Sequence, residues 1–388
     1  MRFFGSPRRV ASIAVMVGVA LVASGTQVEA VTATPGTPIA VVDRPDGWRG
    51  MPGTGSVLEY WTSGSDGSVQ PATGAVFLPP GPVPPGGWPI LAFDHGSLGI
   101  GPNCGGQAEP QLGPWPERRV KEDAYLRTFI EKGFALVAPD YLGLGRFDTG
   151  VHPYLELKTE ASATIDMVKA ARAAHPELGR RWAVFGGSQG GQAALGTAWY
   201  QRKLAPELDF RGAVALDPES EVENLLPMAG PWGPDLPSVI GDALTAFMVT
   251  VLAGLRTARP EAKVDSYLSP RGRQILDSSA KLCLDAIAER VTGVGISDLL
   301  AKPLADDRMR AILADYMGVP TSGYDKPILL LLNALDLTVP SPLHAALAAR
   351  FAANQVDHKV VVGVGRHMQL NKEMSAAMDE FLARVRKP

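Results

Sequence analysis

The chain has 388 residues, 46% of them hydrophobic and 20% charged, enough to bury a large core in the manner of an ordinary globular protein. Its formal net charge of -3 shows no basic excess and argues against nucleic acid as a partner. The six histidines and two cysteines have no close ligand spacing, so no metal and no cofactor is expected.

In chain order, Arg2, Arg8 and Arg9 precede an apolar run over residues 10–23, and Val28-Glu29-Ala30 offers small-residue cleavage. This reads as a secretory signal peptide over 1–30, cut after Ala30, with Arg8-Arg9 compatible with a twin-arginine route. The apolar run is shorter than the roughly 20 residues a membrane span requires. The chain is therefore expected to be secreted, in or beyond the cell envelope. In such an oxidising compartment Cys104 and Cys283 are expected to pair as a disulfide.

Strands are predicted at 57–61, 72–78, 90–93, 134–138, 182–185, 212–216, 328–332 and 359–362, with helical patterns alternating with the later six. That pattern predicts an α/β fold: a mostly parallel eight-stranded sheet with helices on both faces, its first strands forming an antiparallel edge, and an active site at the strand carboxyl ends. Residues 31–388 form this domain. The stretch between the strands ending at 216 and beginning at 328 is too long for a crossover and carries helical patterns, so a helical cap is expected at about 219–323. Its most apolar piece, 239–255, is interrupted by Asp242, which is costly in hydrocarbon and favours a cap helix over a membrane span. Cys283 is placed on a helical stripe with Leu276, Ala280, Ile287 and Val291, so that its disulfide would tie cap to core.

The most informative feature is Gly186-Gly187-Ser188-Gln189-Gly190-Gly191, between the apolar run 182–185 and a helix-forming stretch at 192–199. It reads as a nucleophile elbow, a strand-turn-helix corner that lifts Ser188 on a strained backbone, with Gly186 and Gly190 allowing strand and helix to approach. A serine needs a base, and the base needs an acid to hold its tautomer. In this arrangement the acid follows one late strand and the histidine the next. Asp336 lies just past the strand 328–332 and is the expected acid; His367 follows the strand 359–362 and is the expected base. His344 and His358 are assigned to packing or the surface, His175 to a helix end, and Asp325 to the wrong end of its strand. For the oxyanion, one donor is the Gln189 N–H after the nucleophile. The second is expected in Asp94-His95-Gly96-Ser97-Leu98-Gly99, from the Ser97 N–H or, alternatively, Gly96. Asp140 and His152 are read as structural.

His95-Gly96-Ser97-Leu98-Gly99 followed by Cys104, Ala138-Pro139-Asp140-Tyr141-Leu142-Gly143-Leu144-Gly145 followed by His152-Pro153-Tyr154-Leu155, and then the Ser188 elbow resemble the secretory lipase family of the α/β-hydrolase superfamily over most of the chain beyond the leader. The chain departs from its bacterial relatives in carrying Ser97 after His-Gly and in running from Cys104 into Gly105-Gly106. The resemblance implies a lipase or esterase that cleaves lipid esters through an acyl-enzyme, taking a lipid or other acyl ester and meeting lipid interfaces transiently. A serine peptidase on the same scaffold, or a catalytically silent lipid-binding protein, are the alternatives. No acidic cluster that would recognise an amine is evident at the mouth.

Overall fold

A computed structural model describes residues 33–232 and 238–387. The expected signal peptide, 1–30 with cleavage after Ala30, lies outside the described residues.

Nine strands form one sheet: β1 (Pro38–Arg44), β2 (Thr54–Ser63), β3 (Val69–Leu78), β4 (Trp88–Asp94), β5 (Ala135–Pro139), β6 (Leu178–Gly187), β7 (Asp209–Leu216), β8 (Ile328–Asn333) and β9 (His358–Gly363). Their spatial order is β1-β2-β3-β5-β4-β6-β7-β8-β9. β1, β2, β3 and β5 pair antiparallel in succession, and every pairing from β5 through β4 to β9 is parallel. The sheet therefore has one strand more than the eight expected. The addition is β1, an edge strand whose Ile39, Val41 and Val42 stay largely exposed, so its sequence lacks a clean inside-outside alternation.

Alternate residues of each central strand feed two cores. Ile90, Ala92, Trp182, Val184, Leu330 and Leu332 face one layer, beneath α2 (Leu157–Ala174), α3 (Gln189–Leu204) and α10 (Ser341–Ala353). Leu91, Phe93, Ala183, Phe185, Leu329 and Leu331 face the other, where α1 (Pro116–Glu131) and α11 (Lys372–Arg386) supply Phe129, Ile130, Met378 and Phe381. Both faces of a parallel sheet are covered, and the strand carboxyl ends are left for chemistry.

Between β7 and β8 the chain forms α4 (Val222–Leu225), α5 (Ser238–Ala258), α6 (Pro270–Ser279), α7 (Leu284–Arg290), α8 (Ile296–Leu299) and α9 (Asp307–Met317). These helices share a third apolar core built on Val249, Val251, Leu252 and Leu255 of α5 with Leu276, Ile287 and Leu313. Among the described residues no helix is long and apolar enough to cross a membrane.

The Cys104–Cys283 disulfide is present, with Cα atoms 5.3 Å apart and a sequence separation of 179. The expected continuous helical stripe through Cys283 is not. α6 stops at Ser279, and Cys283 is the residue that opens α7, bridged antiparallel to Gly99. Gly99 sits at φ +141°, and a Cβ there would come within 2.6 Å of the Cys283 Cα, so the close approach of the two loops excludes a helix at this point. The disulfide thus joins the segment after β4 to the helices between β7 and β8.

Candidate active site

β6 delivers Ser188 into a turn at φ 58°, ψ -125°, directly before α3 begins at Gln189. This is costly backbone for a residue with a side chain, held because the surrounding packing leaves no other path. A Cβ on Gly186 would lie 2.0 Å from the Gly190 carbonyl oxygen, and one on Gly190 would lie 1.9 Å from the Asp94 carbonyl oxygen. Only glycine allows β4, β6 and α3 to meet here. The Ser188 N–H donates to the Leu216 carbonyl at 2.9 Å, fixing the turn on β7.

The structure brings Ser188, His367 and Asp336 together. His367 Nε2 is 2.9 Å from Ser188 Oγ, and His367 Nδ1 is 2.6 Å from Asp336 Oδ2. Asp336 Oδ1 accepts the N–H groups of Thr338 and Val339 at 2.8 and 3.0 Å, which locks the carboxylate. Burial would raise the Asp336 pKa, but hydrogen bonds from His344 and His367 outweigh it and hold the group well below the usual carboxylate range. Burial likewise opposes the charge on His367, yet the bond and charge of Asp336, with Asp217 and Glu219 nearby, leave its pKa above the ordinary 6.5.

Three participants were missed by sequence reasoning. His344, assigned to packing, lies buried with Nε2 3.1 Å from the same Asp336 Oδ2. Asp217, just past β7, accepts from Asn333 N and Nδ2 at 2.7 Å each and from Met368 N at 2.8 Å, tying the end of β8 to the His367 loop. Glu219 is buried with Oε1 3.0 Å from Ser188 Oγ. Its Oε1 also accepts from Ser97 Oγ at 3.1 Å and its Oε2 from Tyr154 Oη at 2.9 Å. Burial raises the Glu219 pKa against the pull of these hydroxyl donors. No acidic cluster was expected at the mouth; two carboxyl residues, Glu219 and Asp242, are among the residues that line the cavity. Position past a strand end was the available signal for Asp217, but nothing local marked Glu219 or His344.

Gln189 opens α3, so its backbone N–H belongs to the first turn, for which a helix supplies no i−4 acceptor of its own. Its side-chain amide donates to Glu160 Oε1 at 2.6 Å, anchoring the start of the helix from below. Ser97 is held beside Ser188 through the shared bonds to Glu219 and a 2.7 Å contact with Tyr154 Oη. A Cβ on Gly96 would sit 3.7 Å from the Ser188 Cβ, so the Gly96–Ser97 segment passes close beside Ser188. His95 and His152 are buried and held neutral, their pKa values lowered by burial to about 3 and about 4, and both rings pack against Tyr141. Asp140 accepts from Gln107 N, Ala108 N and Thr73 Oγ1, closing the loop after β5.

Among the described residues, Asp217, Asp336 and His344 bring possible metal-ligand atoms within 4.8 Å of one another. Every carboxylate oxygen in the group already accepts a hydrogen bond from Asn333, Met368, Thr338, Val339 or a histidine, so the set is explained as the brace of the Asp336 and His367 loops.

A cavity of about 550 Å³ opens beside Ser188, walled by Tyr154, Glu219, Leu226, Leu244, Met248 and Val339 among others. Its lining is mainly apolar and comes from the helices between β7 and β8 and from the Asp336 loop.

The sheet order, the elbow and the hydroxyl-imidazole-carboxylate chain define an α/β hydrolase. The model of the family described as Secretory lipase matches residues 120–302, a stretch that holds Ser188. Among solved structures, Candida antarctica lipase A is similar at 16% identity and a TM-score of 0.72, over 92% of this chain and 84% of that one. The rice cell wall degrading esterase LipA from Xanthomonas oryzae is similar at 18% identity and a TM-score of 0.70, over 91% and 96%. A hydrolase from Legionella pneumophila is similar at 20% identity and a TM-score of 0.67, over 86% and 89%. No curated protein matches the chain in sequence. The chain resembles the secretory lipases and is a carboxylic ester hydrolase.

Proposed function

We propose that the protein is exported and hydrolyses the carboxylic esters of lipids through an acyl-enzyme on Ser188. The observation that carries this reading is the continuous chain Ser188 Oγ, His367 Nε2, His367 Nδ1 and Asp336 Oδ2, with separations of 2.9 and 2.6 Å at its two hydrogen bonds. His367 takes the Ser188 proton as Oγ attacks the ester carbonyl, and Asp336 holds the imidazole in the required tautomer and stabilises its charged form. The backbone N–H groups of Gln189 and Ser97 receive the oxyanion. His367 then returns the proton to the leaving alcohol. Water, activated by the same imidazole, releases the fatty acid.

The apolar cavity supports an acyl chain, since each buried CH₂ is worth about 0.8 kcal/mol. Leu225, Met228 and Leu337 line that cavity and are 44%, 75% and 74% exposed, which suits contact with a lipid surface. Export is supported by the leader-like first thirty residues, the disulfide and the family resemblance.

The test is hydrolysis of p-nitrophenyl esters from acetate to palmitate by the mature protein and by Ser188→Ala. Activity that rises with chain length and vanishes in the variant is expected. Activity unchanged in Ser188→Ala, or none on any ester, would overturn the reading.

A further inference from the structure

Glu219 is a carboxyl at the point where the apolar cavity meets the nucleophile. It touches Ser188 Oγ, lines the cavity with Tyr154, and among the described residues has no cation as a hydrogen-bond partner. All its donors are hydroxyls: Ser188 at 3.0 Å and Ser97 at 3.1 Å on Oε1, and Tyr154 at 2.9 Å on Oε2. A mainly apolar acyl tunnel gains nothing from such a group, and a buried carboxyl whose donors are removed is costly.

Ser188 has one proton, and its oxygen lies within hydrogen-bond distance of both His367 Nε2 and Glu219 Oε1. On attack the Oγ–C bond forms and that proton passes to His367, then to the alcohol oxygen as the C–O bond breaks. From that moment until deacylation Ser188 has nothing to donate, and the donors left to Oε1 are Ser97 Oγ and Tyr154 Oη, each at 3.1 Å. This holds whether or not Glu219 is ionised, because a proton on Oε2 leaves Oε1 an acceptor. An acyl chain seated in the cavity with its carbonyl at Ser188 would bring the carbon next to that carbonyl past Glu219, which both touches Ser188 Oγ and lines the cavity.

We propose that Glu219 Oε1 is a recognition subsite for a hydrogen-bond donor on the carbon adjacent to the scissile carbonyl, so that the enzyme prefers acyl esters bearing a hydroxyl or ammonium group there. The substituent gives Oε1 a donor once Ser188, whose one proton His367 and Glu219 can only share, has lost it. Because Ser188 competes for Oε1 until its proton passes to His367, the substituent's bond is strongest once attack has begun and lowers the barrier rather than merely tightening binding. The proposal rests on the reading of Ser188 as the acylated nucleophile.

The experiment compares ethyl esters of hexanoic, 2-methoxyhexanoic, 2-hydroxyhexanoic and 2-aminohexanoic acids, each substituted ester as resolved enantiomers. The methoxy ester matches the inductive pull of the hydroxyl but cannot donate. For the better enantiomer, kcat/KM is expected to exceed that of the methoxy ester by about tenfold for the hydroxy ester, the amino ester or both, the size of one hydrogen bond to a charged group. In Glu219→Leu that ratio, taken within the variant so that a general loss of activity cancels, falls to near one. Glu219→Gln separates the two sources: it keeps a hydroxyl preference and loses an ammonium preference. Methoxy, hydroxy and amino esters cleaved at equal rates by the wild-type protein would overturn the inference while leaving the ester-hydrolase reading intact. Failure to cleave any of the four, or cleavage by Ser188→Ala, would overturn both.

Discussion

His344 places its Nε2 3.1 Å from Asp336 Oδ2, the same oxygen that His367 Nδ1 approaches at 2.6 Å. One carboxylate oxygen therefore serves two imidazoles, and the charge available to His367 depends on how much His344 takes up. A second donor on a carboxylate lowers its basicity and weakens its hold on the first.

Removing His344 should strengthen the proton affinity of His367. The pKa of His367 is already above 6.5, so the acid limb of kcat/KM should lie above pH 6.5, where the imidazole loses its proton and becomes a base. In His344→Leu that limb is expected to move to higher pH by about half a unit, the order of one modest hydrogen bond, with activity at pH 9 within about threefold of wild type. Asp336→Asn should move the limb the other way and cost about 10⁴-fold in kcat, as expected when the tautomer is lost. The measurement is a pH profile from 5 to 10 on p-nitrophenyl butyrate. A limb that stays in place in His344→Leu would show that His344 only fills space.

Asp94 makes a distinct prediction about stability. It is buried beneath the elbow with Oδ1 accepting from Thr164 Oγ1 at 2.6 Å, Oδ2 has no partner, and burial raises its pKa to about 8. An unfolded aspartate titrates near 3.9. Between about pH 4 and 8 the folded state thus holds a proton that the unfolded state has released, and this group's contribution falls as pH rises. Asp94→Asn removes that dependence and keeps the acceptor for Thr164. The variant should gain on wild type by on the order of 1 kcal/mol per pH unit across the window, read from urea midpoints at pH 5, 6.5 and 8. Parallel stability curves would mean that Asp94 is ionised in the fold.

The disulfide closes a sequence separation of 179 residues between the segment after β4 and the start of α7. On chain-entropy grounds a loop of this size contributes about 5 kcal/mol, and measured losses are commonly smaller. Cys104→Ala with Cys283→Ala should lower stability by about 2–5 kcal/mol in urea, and dithiothreitol should affect the wild-type protein but not the double variant.

How much of this was legible in the sequence depended on the range of the determining contacts. The elbow could be read because Gly186, Ser188 and Gly190 solve a local packing problem between adjacent elements. Asp336 and His367 could be singled out because each follows the carboxyl end of a strand that is apolar enough to recognise. β1 could not, since an exposed edge strand has no burial pattern to display. The Leu276–Val291 stripe did contain buried residues at helical spacing, but the antiparallel bridge from Gly99 breaks the helix there, and that constraint comes from a loop far off in the chain. Glu219 was invisible for a similar reason: it reaches Ser188 only because β7 lies beside β6, and no residue near Glu219 in sequence marks that adjacency.

Two glycines near the nucleophile should respond differently to the same change. In Gly190→Ala the new methyl meets the Asp94 carbonyl oxygen at 1.9 Å, a backbone atom that cannot swing aside, so β4 and α3 must separate. A loss of about 3 kcal/mol or more, or failure to fold, is expected. In Gly96→Ala the nearest atoms are the Gly187 carbonyl oxygen at 3.5 Å and Ser188 Cβ at 3.7 Å, ordinary contact distances. Stability there should stay within about 1 kcal/mol of wild type. Thermal melts of the two proteins settle the contrast, and equal effects would mean that the elbow is looser than the contacts imply.

Leu244 tests whether the acyl chain occupies the cavity beside Glu219. It lies on α5, is half-buried, and lines the roughly 550 Å³ space along with Met248 and Val251. If the chain binds there, kcat/KM should climb with acyl length by up to about fourfold per CH₂, the equivalent of about 0.8 kcal/mol, until the cavity is full. Leu244→Trp fills part of that volume. Short esters should be hydrolysed at near wild-type rates, because Ser188, His367 and Asp336 lie on the strand ends and do not depend on α5. The optimum should shift toward shorter acyl chains, with the greatest loss on palmitate. A chain-length profile identical to that of wild type would place the acyl group elsewhere and assign the cavity to the alcohol portion of the ester.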